Sequence, residues 1–199
     1  MKTKEETRFE MVKERHKKTF FDAVKQGKAD SQIIPFCRFI SKTKNFFTSS
    51  SCAGRIVLLD IDKEGNKKEA AFHAKWHRKI SFKELMKEIN KQNSEEELWF
   101  KLDPFILHLG TDSLENAKKV LEAAKTAGIR RAGIMVAVEG KFITELIGTQ
   151  SIAFPVKIKG EIITEKKFLE KALEKANKKL EKNYFQFKEF EKTARKKLK

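Results

Sequence analysis

Short apolar runs separated by turn residues fill the middle of the chain, and helical patterns flank them at both ends. The run at residues 56–59 is typical of a buried strand, and similar runs recur through residues 45–158. Residues 7–28 and 164–197 instead repeat their apolar side chains at helical spacing. Because strands are numerous and do not alternate strictly with helices, the sequence predicts an α+β fold with a mixed β-sheet flanked by helices.

The chain is predicted to form a single domain, residues 1–199, built from three consecutive parts. These are N-terminal helices in residues 1–44, a sheet-rich core in residues 45–158 and a long basic C-terminal helix in residues 161–199. No Gly-x-Gly-x-x-Gly turn follows a predicted strand, so the Rossmann fingerprint for dinucleotides is absent.

Local signals predict where several helices begin and end. Asp30 and Ser31 are expected to cap a second helix that has Pro35 early in it. Ser113 is expected to cap a helix that stops at Gly128. The remaining signals are a capping box formed by Ser81 and Glu84 and a turn at residues 63–68.

Positive charge dominates the composition. The chain has 44 Lys and Arg residues against 28 Asp and Glu residues, a formal net charge of +16. A surface rich in Lys and Glu, as in heat-stable proteins, accounts for many of these charges but not for the imbalance. Because a positive field attracts polyanions, the composition predicts a nucleic-acid partner.

Several features bear on where the protein works. No apolar run approaches the roughly 20 residues of a membrane helix, and residues 1–15 lack the apolar stretch of a signal peptide. Two cysteines, Cys37 and Cys52, are too few for a disulfide scaffold. The four histidines form no helical pair with acids placed for a metal. We therefore expect a cytoplasmic protein with reduced thiols, no membrane association and no metal site.

A cluster of hydroxyl, thiol and glycine residues precedes the run at residues 56–59. Residues 48–55 read Thr-Ser-Ser-Ser-Cys-Ala-Gly-Arg and are predicted to form a loop between two strands. Hydroxyls, backbone N–H groups and the Arg55 cation suit an anionic ligand there, and Gly54 permits a close backbone approach. An ordinary polar hairpin loop fits the same residues, and a nucleophilic Cys52 is a further alternative.

Two further segments contain histidines. Trp76, His77 and Arg78 end a predicted strand, where they suit base stacking, general-base chemistry and phosphate binding respectively. Asp103 and His108 are placed on one strand, where their odd spacing directs them to opposite faces. The structural alternatives are a buried tryptophan beside a surface histidine in the first segment and a core histidine in the second.

The last candidates are basic. Arg130 and Arg131 follow the glycine that ends a predicted helix, and paired arginines beside glycines suit phosphate binding. The amphipathic basic helix in residues 161–199 suits contact with a nucleic-acid backbone. Solvated surface charges fit both segments as well.

Four segments occur in this order in a known family. They are FFTSSSCAGRIVLLD (residues 46–60), KLDPFILHL (101–109), AGIRRAGI (127–134) and FPVKIKGEIITEKKFLEKALEKANKKLEKN (154–183). On these motifs the chain resembles the tRNA wybutosine-synthesis N4-methyltransferase family in its compact archaeal form, from about residue 36 to about residue 190. It differs at Arg131 and Ala132, where the family carries Asn-Ser before the glycine.

The resemblance implies a reaction and its partners. A methyl group would pass from S-adenosylmethionine to N4 of 7-aminocarboxypropyl-demethylwyosine, the base at position 37 in the anticodon loop of phenylalanine tRNA. N4 loses a proton as the methyl group arrives, so a proton acceptor is expected. The candidate residues are Asp103, His77 and His108 as proton acceptors, Ser50, Ser51, Cys52, Gly54 and Arg55 at the cofactor, and Trp76, Arg78, Arg130 and Arg131 at the tRNA.

Two other functions fit parts of the sequence. A non-catalytic basic RNA-binding protein would have the same charge and the same last helix, but it would not need the hydroxyl-rich segment and would ignore S-adenosylmethionine. A thiol-dependent transfer through Cys52 would be abolished by Cys52→Ser.

Overall fold

The computed structural model describes residues 3–61, 71–91 and 97–199, so the turn predicted at residues 63–68 lies outside the described residues. The residues divide into two compact units. Unit 1 comprises Met1–Ala53, Phe105–Gly148 and Tyr184–Lys199, and unit 2 comprises Gly54–Pro104 and Thr149–Asn183. The single domain expected from the sequence stays a prediction.

Helices and strands follow one another in an irregular order. The helices are α1 (Lys4–Lys25), α2 (Ile34–Lys42), α3 (Phe82–Lys91), α4 (Leu114–Thr126) and α5 (Lys166–Lys197). The strands are β1 (Phe46–Cys52), β2 (Arg55–Ile61), β3 (Ala71–Trp76), β4 (Glu97–Asp103), β5 (Ile106–Thr111), β6 (Arg131–Val138), β7 (Lys141–Ile147), β8 (Ile152–Ile158) and β9 (Glu161–Ile162). None of the helices in the described part combines the length and apolarity needed to cross a membrane.

The α+β class and the long C-terminal helix are confirmed, whereas the mixed sheet is not. Among the described residues, strands form one sheet in the order β1-β5-β7-β6 and another in the order β3-β2-β4-β8-β9. Each neighbouring pair in these two sheets is antiparallel. We call them sheet A, in unit 1, and sheet B, in unit 2.

Sheet A has two faces with different coverings. Its core face packs against α2, α4 and the end of α5, through side chains such as Phe46, Leu107 and Leu146. Phe36 of α2 lies in this core with its ring centroid 5.7 Å from that of Phe187. The opposite face, which we call the α1 face, is covered at one end by Phe9 and Val12 of α1 with neighbouring strand residues. Alternation along each strand thus separates an apolar core from a face that is only partly covered.

Gly110 of β5 lies beneath the ring of Phe47 on the α1 face. A Cβ at Gly110 would overlap that ring, which is 2% exposed and stacks on the imidazole of His16 with centroids 5.0 Å apart. We therefore expect Gly110→Ala to lower the free energy of unfolding by about 1–3 kcal/mol, since the ring has little room to move. Denaturant unfolding of the full chain measures this.

Gly133 of β6 supplies the matched control for that substitution. No atom lies within 4 Å of a Cβ built at Gly133. Gly133→Ala is expected to leave the free energy of unfolding unchanged or raise it by about 0.5–1 kcal/mol, because glycine in a strand costs backbone entropy. Equal unfolding midpoints for Gly110→Ala and the unmodified protein would contradict the packing described for Phe47.

Sheet B buries one face and leaves the other partly open. Burial alternates along β4, where Leu98, Phe100 and Leu102 are buried, whereas Ile56, Val57 and Leu58 of β2 are all fully buried. Phe154 of β8 stacks on Phe100, and Phe168 of α5 contacts Phe154 edge-on at 5.1 Å, which places α5 over this inner face. The outer face is formed by the intervening residues.

An apolar stripe runs the length of α5. Its buried members recur every three or four residues and are Leu169, Leu173, Ala176, Leu180, Phe187, Phe190 and Ala194. Asn183 occupies the stripe between Leu180 and Phe187 and is fully buried, and its Nδ2 donates to the carbonyl oxygen of Gln150 at 3.3 Å. The helical spacing predicted from the sequence is therefore confirmed.

The local helix signals were mostly right. The Ser113 hydroxyl accepts from the backbone N–H of Asn116 at 3.3 Å, and Gly128 after α4 has a φ of 73°. The capping box of Ser81 and Glu84 is also present.

The cap expected at Asp30 and Ser31 was wrong. α2 starts after Ile33 with no side-chain cap, although Pro35 does lie in its first turn. The two carboxylate oxygens of Asp30 accept instead from the backbone N–H groups of Gln32 at 3.0 Å and Ala53 at 2.8 Å. Asp30 therefore holds the end of β1 rather than the start of α2.

Candidate active site

The hydroxyl-rich segment forms a strand, not the loop that its composition suggested. β1 extends through Cys52, and only Ala53 and Gly54 lie between β1 and β2. Hydroxyl side chains are compatible with a strand here because one face of β1 is only partly covered by other residues. Gly54 has a φ of 102°, which an L side chain rarely adopts, so glycine is required at this tight turn.

A β-bulge in β1 places two serines opposite one histidine. Thr48 pairs with Leu109 and Ser51 pairs with Leu107, so Ser49 and Ser50 together oppose His108. Both serines are exposed. The extra residue leaves the flanking residues on their original faces and adds one hydroxyl to the α1 face.

His108 lies in a row of residues that crosses the whole of sheet A. His108 pairs with Glu145 of β7, and Glu145 pairs with Gly133 of β6. We call Ser49, Ser50, His108, Glu145 and Gly133 the polar row. The next row on the same face consists of Ile106, Ile147 and Arg131. Cys52 pairs with Ile106 at the end of this row, and its thiol lies within 4.8 Å of a carboxylate oxygen of Asp30.

His108 and Glu145 form the central contact of the polar row. His108 Nε2 lies 2.8 Å from Glu145 Oε2, and the two side chains are 21% and 25% exposed. A carboxylate at this distance fixes the orientation of the imidazole. With Nε2–H donated to Glu145, Nδ1 is the nitrogen that can accept a proton.

Space and charge lie beside this pair. The position above Gly133 is open, with no atom within 4 Å of where a Cβ would stand, and Arg131 in the neighbouring row is exposed. A small ligand on this face would meet hydroxyls at one side, a carboxylate-held imidazole in the middle and a cation at the other side. The arrangement suits binding of a polar group and acceptance of its proton.

Ser51 points to the other side of the strand. Thr48 and Ser51 lie beside the thiol of Cys37, and burial raises the pKa of this thiol to about 11. The buried Ser51 Oγ makes no hydrogen bond to a nitrogen or oxygen of the described residues. Ser51, expected at the cofactor, therefore faces the core and not the polar row.

A second polar cluster in unit 1 was missed by the sequence-based predictions. A carboxylate oxygen of Asp30 and Sγ of Cys52 lie within 4.8 Å of each other. Burial, followed by the charges of Asp30 and Cys52, raises the pKa of the Tyr184 phenol above its ordinary value. The three residues lie far apart in sequence, so only the fold brings them together.

Because Tyr184 is the sole tyrosine, its titration can be followed directly. We expect its phenol to ionise well above pH 10.0, the ordinary value, and Asp30→Asn to bring the pKa back toward it. A raised pKa means that the folded state keeps the phenol proton to a higher pH than the unfolded state does. The contribution of Tyr184 to the free energy of unfolding is therefore fully present below pH 10.0 and is lost as the pH rises through the folded-state pKa. Tyrosinate ultraviolet absorbance against pH measures this, and an ordinary pKa in the folded protein would contradict the burial.

Unit 2 contains two of the candidate residues, Arg55 and Asp103, and they form an ion pair that was not predicted. Arg55 Nε donates to Asp103 Oδ2 at 3.0 Å, and Lys101 Nζ lies 3.6 Å from Asp103 Oδ1. The Arg55 guanidinium also covers the ring of Phe72 at 4.6 Å from the centroid. A Cβ on Gly54 would lie 3.2 Å from the carbonyl oxygen of Asp103, so glycine lets β2 begin close to the end of β4.

Asp103 and His108 do not share a strand, contrary to the prediction. Asp103 ends β4 in sheet B, whereas His108 is the third residue of β5 in sheet A. Pro104 and Phe105 separate the two strands, because the proline has no N–H to continue a ladder. Their odd spacing therefore does not determine which faces the two side chains occupy.

The remaining candidates lie at strand ends. Trp76 is the last residue of β3, is partly buried and is followed by His77. The Arg78 guanidinium pairs with Glu84 at 2.7 Å and so braces the start of α3. Arg130 is exposed just before β6, and Arg131 is its first residue.

Comparison with known proteins assigns the chain to a family. The sequence profile of the family described as Methyltransferase TYW3 matches residues 6–196. The chain belongs to this family.

Relatives in the TYW3 family come from archaea and from a mammal. The chain is 34% identical over 169 residues to a Pyrococcus horikoshii protein named tRNA(Phe) 7-((3-amino-3-carboxypropyl)-4-demethylwyosine(37)-N(4))-methyltransferase 1, covering 85% of this chain and 86% of that one. It is 32% identical to the mouse protein named tRNA wybutosine-synthesizing protein 3 homolog, covering 81% of this chain and 63% of that one. A solved structure of a Pyrococcus horikoshii protein, 31% identical, superposes with a TM-score of 0.86 over 94% of this chain and 96% of that one.

Proposed function

We propose that this protein transfers a methyl group from S-adenosylmethionine to N4 of 7-aminocarboxypropyl-demethylwyosine at position 37 of phenylalanine tRNA. The observation that carries the proposal is the TYW3 match over residues 6–196, together with a relative of that named activity at 34% identity. The net charge of +16 supports a tRNA substrate. The anticodon loop, where position 37 lies, and the cytoplasm, where tRNA is modified, are part of the proposal.

The polar groups of sheet A fit the amino-acid end of the cofactor. Ser49 and Ser50 offer exposed hydroxyls, and Arg131 offers a cation for a carboxylate. Glu145 offers a carboxylate for an ammonium group. S-adenosylmethionine, when bound, supplies the electrophilic methyl group. We assign Ser50 to this site directly and Cys52 as its neighbour in the next row.

His108 is the proton acceptor that the geometry favours. N4 loses its proton as the methyl group arrives, and the imidazole held by Glu145 at 2.8 Å is placed to accept it. Asp103 is less suited, because its two oxygens already face Arg55 and Lys101. His77 lies at the end of β3 and remains the second candidate.

The other predicted residues keep proposed binding roles. Arg55, ion-paired with Asp103 beside Gly54, suits a carboxylate of the cofactor or of the aminocarboxypropyl side chain. Arg130 is exposed and suits tRNA phosphate, whereas Arg131, also predicted to bind phosphate, is assigned above to the carboxylate of the cofactor. Trp76 suits stacking, and Arg78 would have to exchange its bond with Glu84 to reach a phosphate.

The test is methyl transfer from radiolabelled S-adenosylmethionine to phenylalanine tRNA that carries the aminocarboxypropyl-demethylwyosine base. Unmodified tRNA serves as the control. Label on the modified tRNA alone supports the proposal. Tight, salt-sensitive tRNA binding with no label on either RNA would overturn it and favour a non-catalytic RNA-binding protein.

A further inference from the structure

The outer face of sheet B presents an aromatic row that the proposed reaction does not use. Phe72 of β3 pairs with Leu59 of β2, Leu59 pairs with Trp99 of β4, and Trp99 pairs with Pro155 of β8. Phe72, on the edge strand β3, is 49% exposed, which is a large exposure for a phenylalanine in a strand. An apolar row thus crosses four strands with an accessible ring at one side.

Basic side chains occupy the next row on the same face. Lys75, Val57, Lys101 and Ala153 pair in turn across the same four strands. Lys75 and Ala153 are exposed, Lys101 is partly exposed, and Val57 between the two lysines is fully buried. Arg55 begins the following row and places its guanidinium over the Phe72 ring at 4.6 Å. Adjacent rows on one face are about 7 Å apart.

Two features hold the aromatic rings in place: a hydrogen bond of the Trp99 indole and the buried inner face of sheet B beneath the strands. Trp99 Nε1 donates to Glu97 Oε2 at 2.7 Å, which satisfies the only polar group of the indole and fixes its orientation. The inner face of the sheet is fully buried at Leu58 and Phe100, so the strands that carry the rings rest on a rigid base. A surface of this kind loses little conformational entropy when it binds.

We propose that this face, defined by Phe72, Trp99, Lys75 and Lys101, binds a single-stranded segment of the tRNA substrate by stacking a base on Phe72. The charges suit such a partner: Lys75 and Lys101 lie beside the aromatic row, near the two acids Asp103 and Glu97, on a chain of net charge +16. An open sheet with an exposed aromatic and basic neighbours is a recurrent way to bind unpaired bases. The proposal rests on the proposed tRNA substrate, but not on the methyl transfer itself.

The experiment measures the affinity of the full chain for a labelled anticodon stem-loop RNA at fixed salt, without cofactor. Phe72→Ala is expected to weaken binding about tenfold, the usual effect of losing one stacking side chain. Phe72→Trp should bind as tightly as the unmodified protein because it keeps the stacking surface. Phe72→Leu should behave like Phe72→Ala although it keeps apolar area.

Phe168→Ala is the matched control. Phe168 is also in unit 2 and is 51% exposed, but it contacts Phe154 at the inner face of sheet B. It should leave RNA affinity unchanged. Thermal unfolding of each variant identifies a loss that comes from misfolding, and Phe72→Trp keeps the test decisive in that case.

Three outcomes separate the proposals. Weakened binding in Phe72→Ala with no methyl transfer by the unmodified protein would support the stacking surface and overturn the reaction. Methyl transfer with equal RNA affinity in Phe72→Ala and Phe168→Ala would overturn the surface and leave the reaction intact. A changed oligomeric state in Phe72→Ala, seen by sedimentation at unchanged RNA affinity, would also overturn it, since the face would then bind a second copy of the chain.

Discussion

His108→Gln is expected to lower kcat for methyl transfer by about 10²- to 10⁴-fold, the usual contribution of a positioned general base. KM for the modified tRNA should change little, because the imidazole accepts a proton only as the new bond forms. Glutamine is similar in length and can still contact Glu145, but it cannot take up the proton. Steady-state kinetics with saturating cofactor measures both constants.

His73→Gln is the matched control for this substitution. His73 also lies beside a glutamate, with Nε2 2.9 Å from the carbonyl oxygen of Glu88 and 3.7 Å from its carboxylate. Its side chain is 18% exposed, close to the 21% of His108. His73→Gln should keep kcat, and an equal loss in both variants would mean that His108 acts through stability alone.

Glu145→Gln separates orientation from charge. The amide oxygen can still accept from His108 Nε2, but the negative charge beside the imidazole is gone. We expect a smaller loss of kcat than for His108→Gln, again with little change in KM. Full activity in both variants would remove the polar row from the reaction.

Gly133→Val is expected to reduce kcat/KM on the order of 10²-fold while leaving the protein folded, because even small misplacement of bound reactants is costly. Gly133 is the end of the polar row, and the space above it is open. A valine would fill this space beside Glu145. The φ angle of Gly133 lies outside the left-handed region, so a valine at this position fits the backbone of β6.

The controls for Gly133→Val are a smaller side chain and a stability measurement. Gly133→Ala adds only one methyl group and should reduce activity much less. Both variants should unfold at or above the denaturant concentration of the unmodified protein. Full activity in Gly133→Val would show that no reactant lies over this end of sheet A.

The sequence correctly predicts those helices whose ends or spacing depend on residues only a few positions apart. Ser113 and Gly128 bound α4 because a hydroxyl cap and a left-handed residue act within a few positions. The stripe of α5 likewise follows from spacing alone. These predictions succeed since the hydrogen bonds and dihedral angles that decide them are local.

The composition of β1 favours a loop because its hydroxyl residues lie on both faces of the strand. Thr48 and Ser51 fill polar space beside Cys37, whereas Ser49 and Ser50 are exposed, and the bulge between them breaks the two-residue period. The composition of this segment is therefore typical of a turn, although the backbone of β1 is extended.

The candidate site was found only in part because it depends on distant pairings. His108 and Glu145 are 37 residues apart in sequence, and only the register of β5 and β7 brings them together. Asp30 accepts from the backbone N–H of Ala53, 23 residues away in sequence. The prediction of a helix cap from the local sequence around Asp30 was therefore wrong. Register cannot be deduced from one chain when neither strand carries a turn that fixes it.

Because the bulge in β1 holds one residue more than its ladder needs, the strand can change length at that point. Loss of Ser49 or Ser50 would restore a regular ladder in which Thr48 and Ser51 keep their faces. In a strand without a bulge, a deletion would carry every later side chain to the opposite face. The number of hydroxyls beside His108 can thus change by one without moving any side chain of the hydrophobic core to the other face.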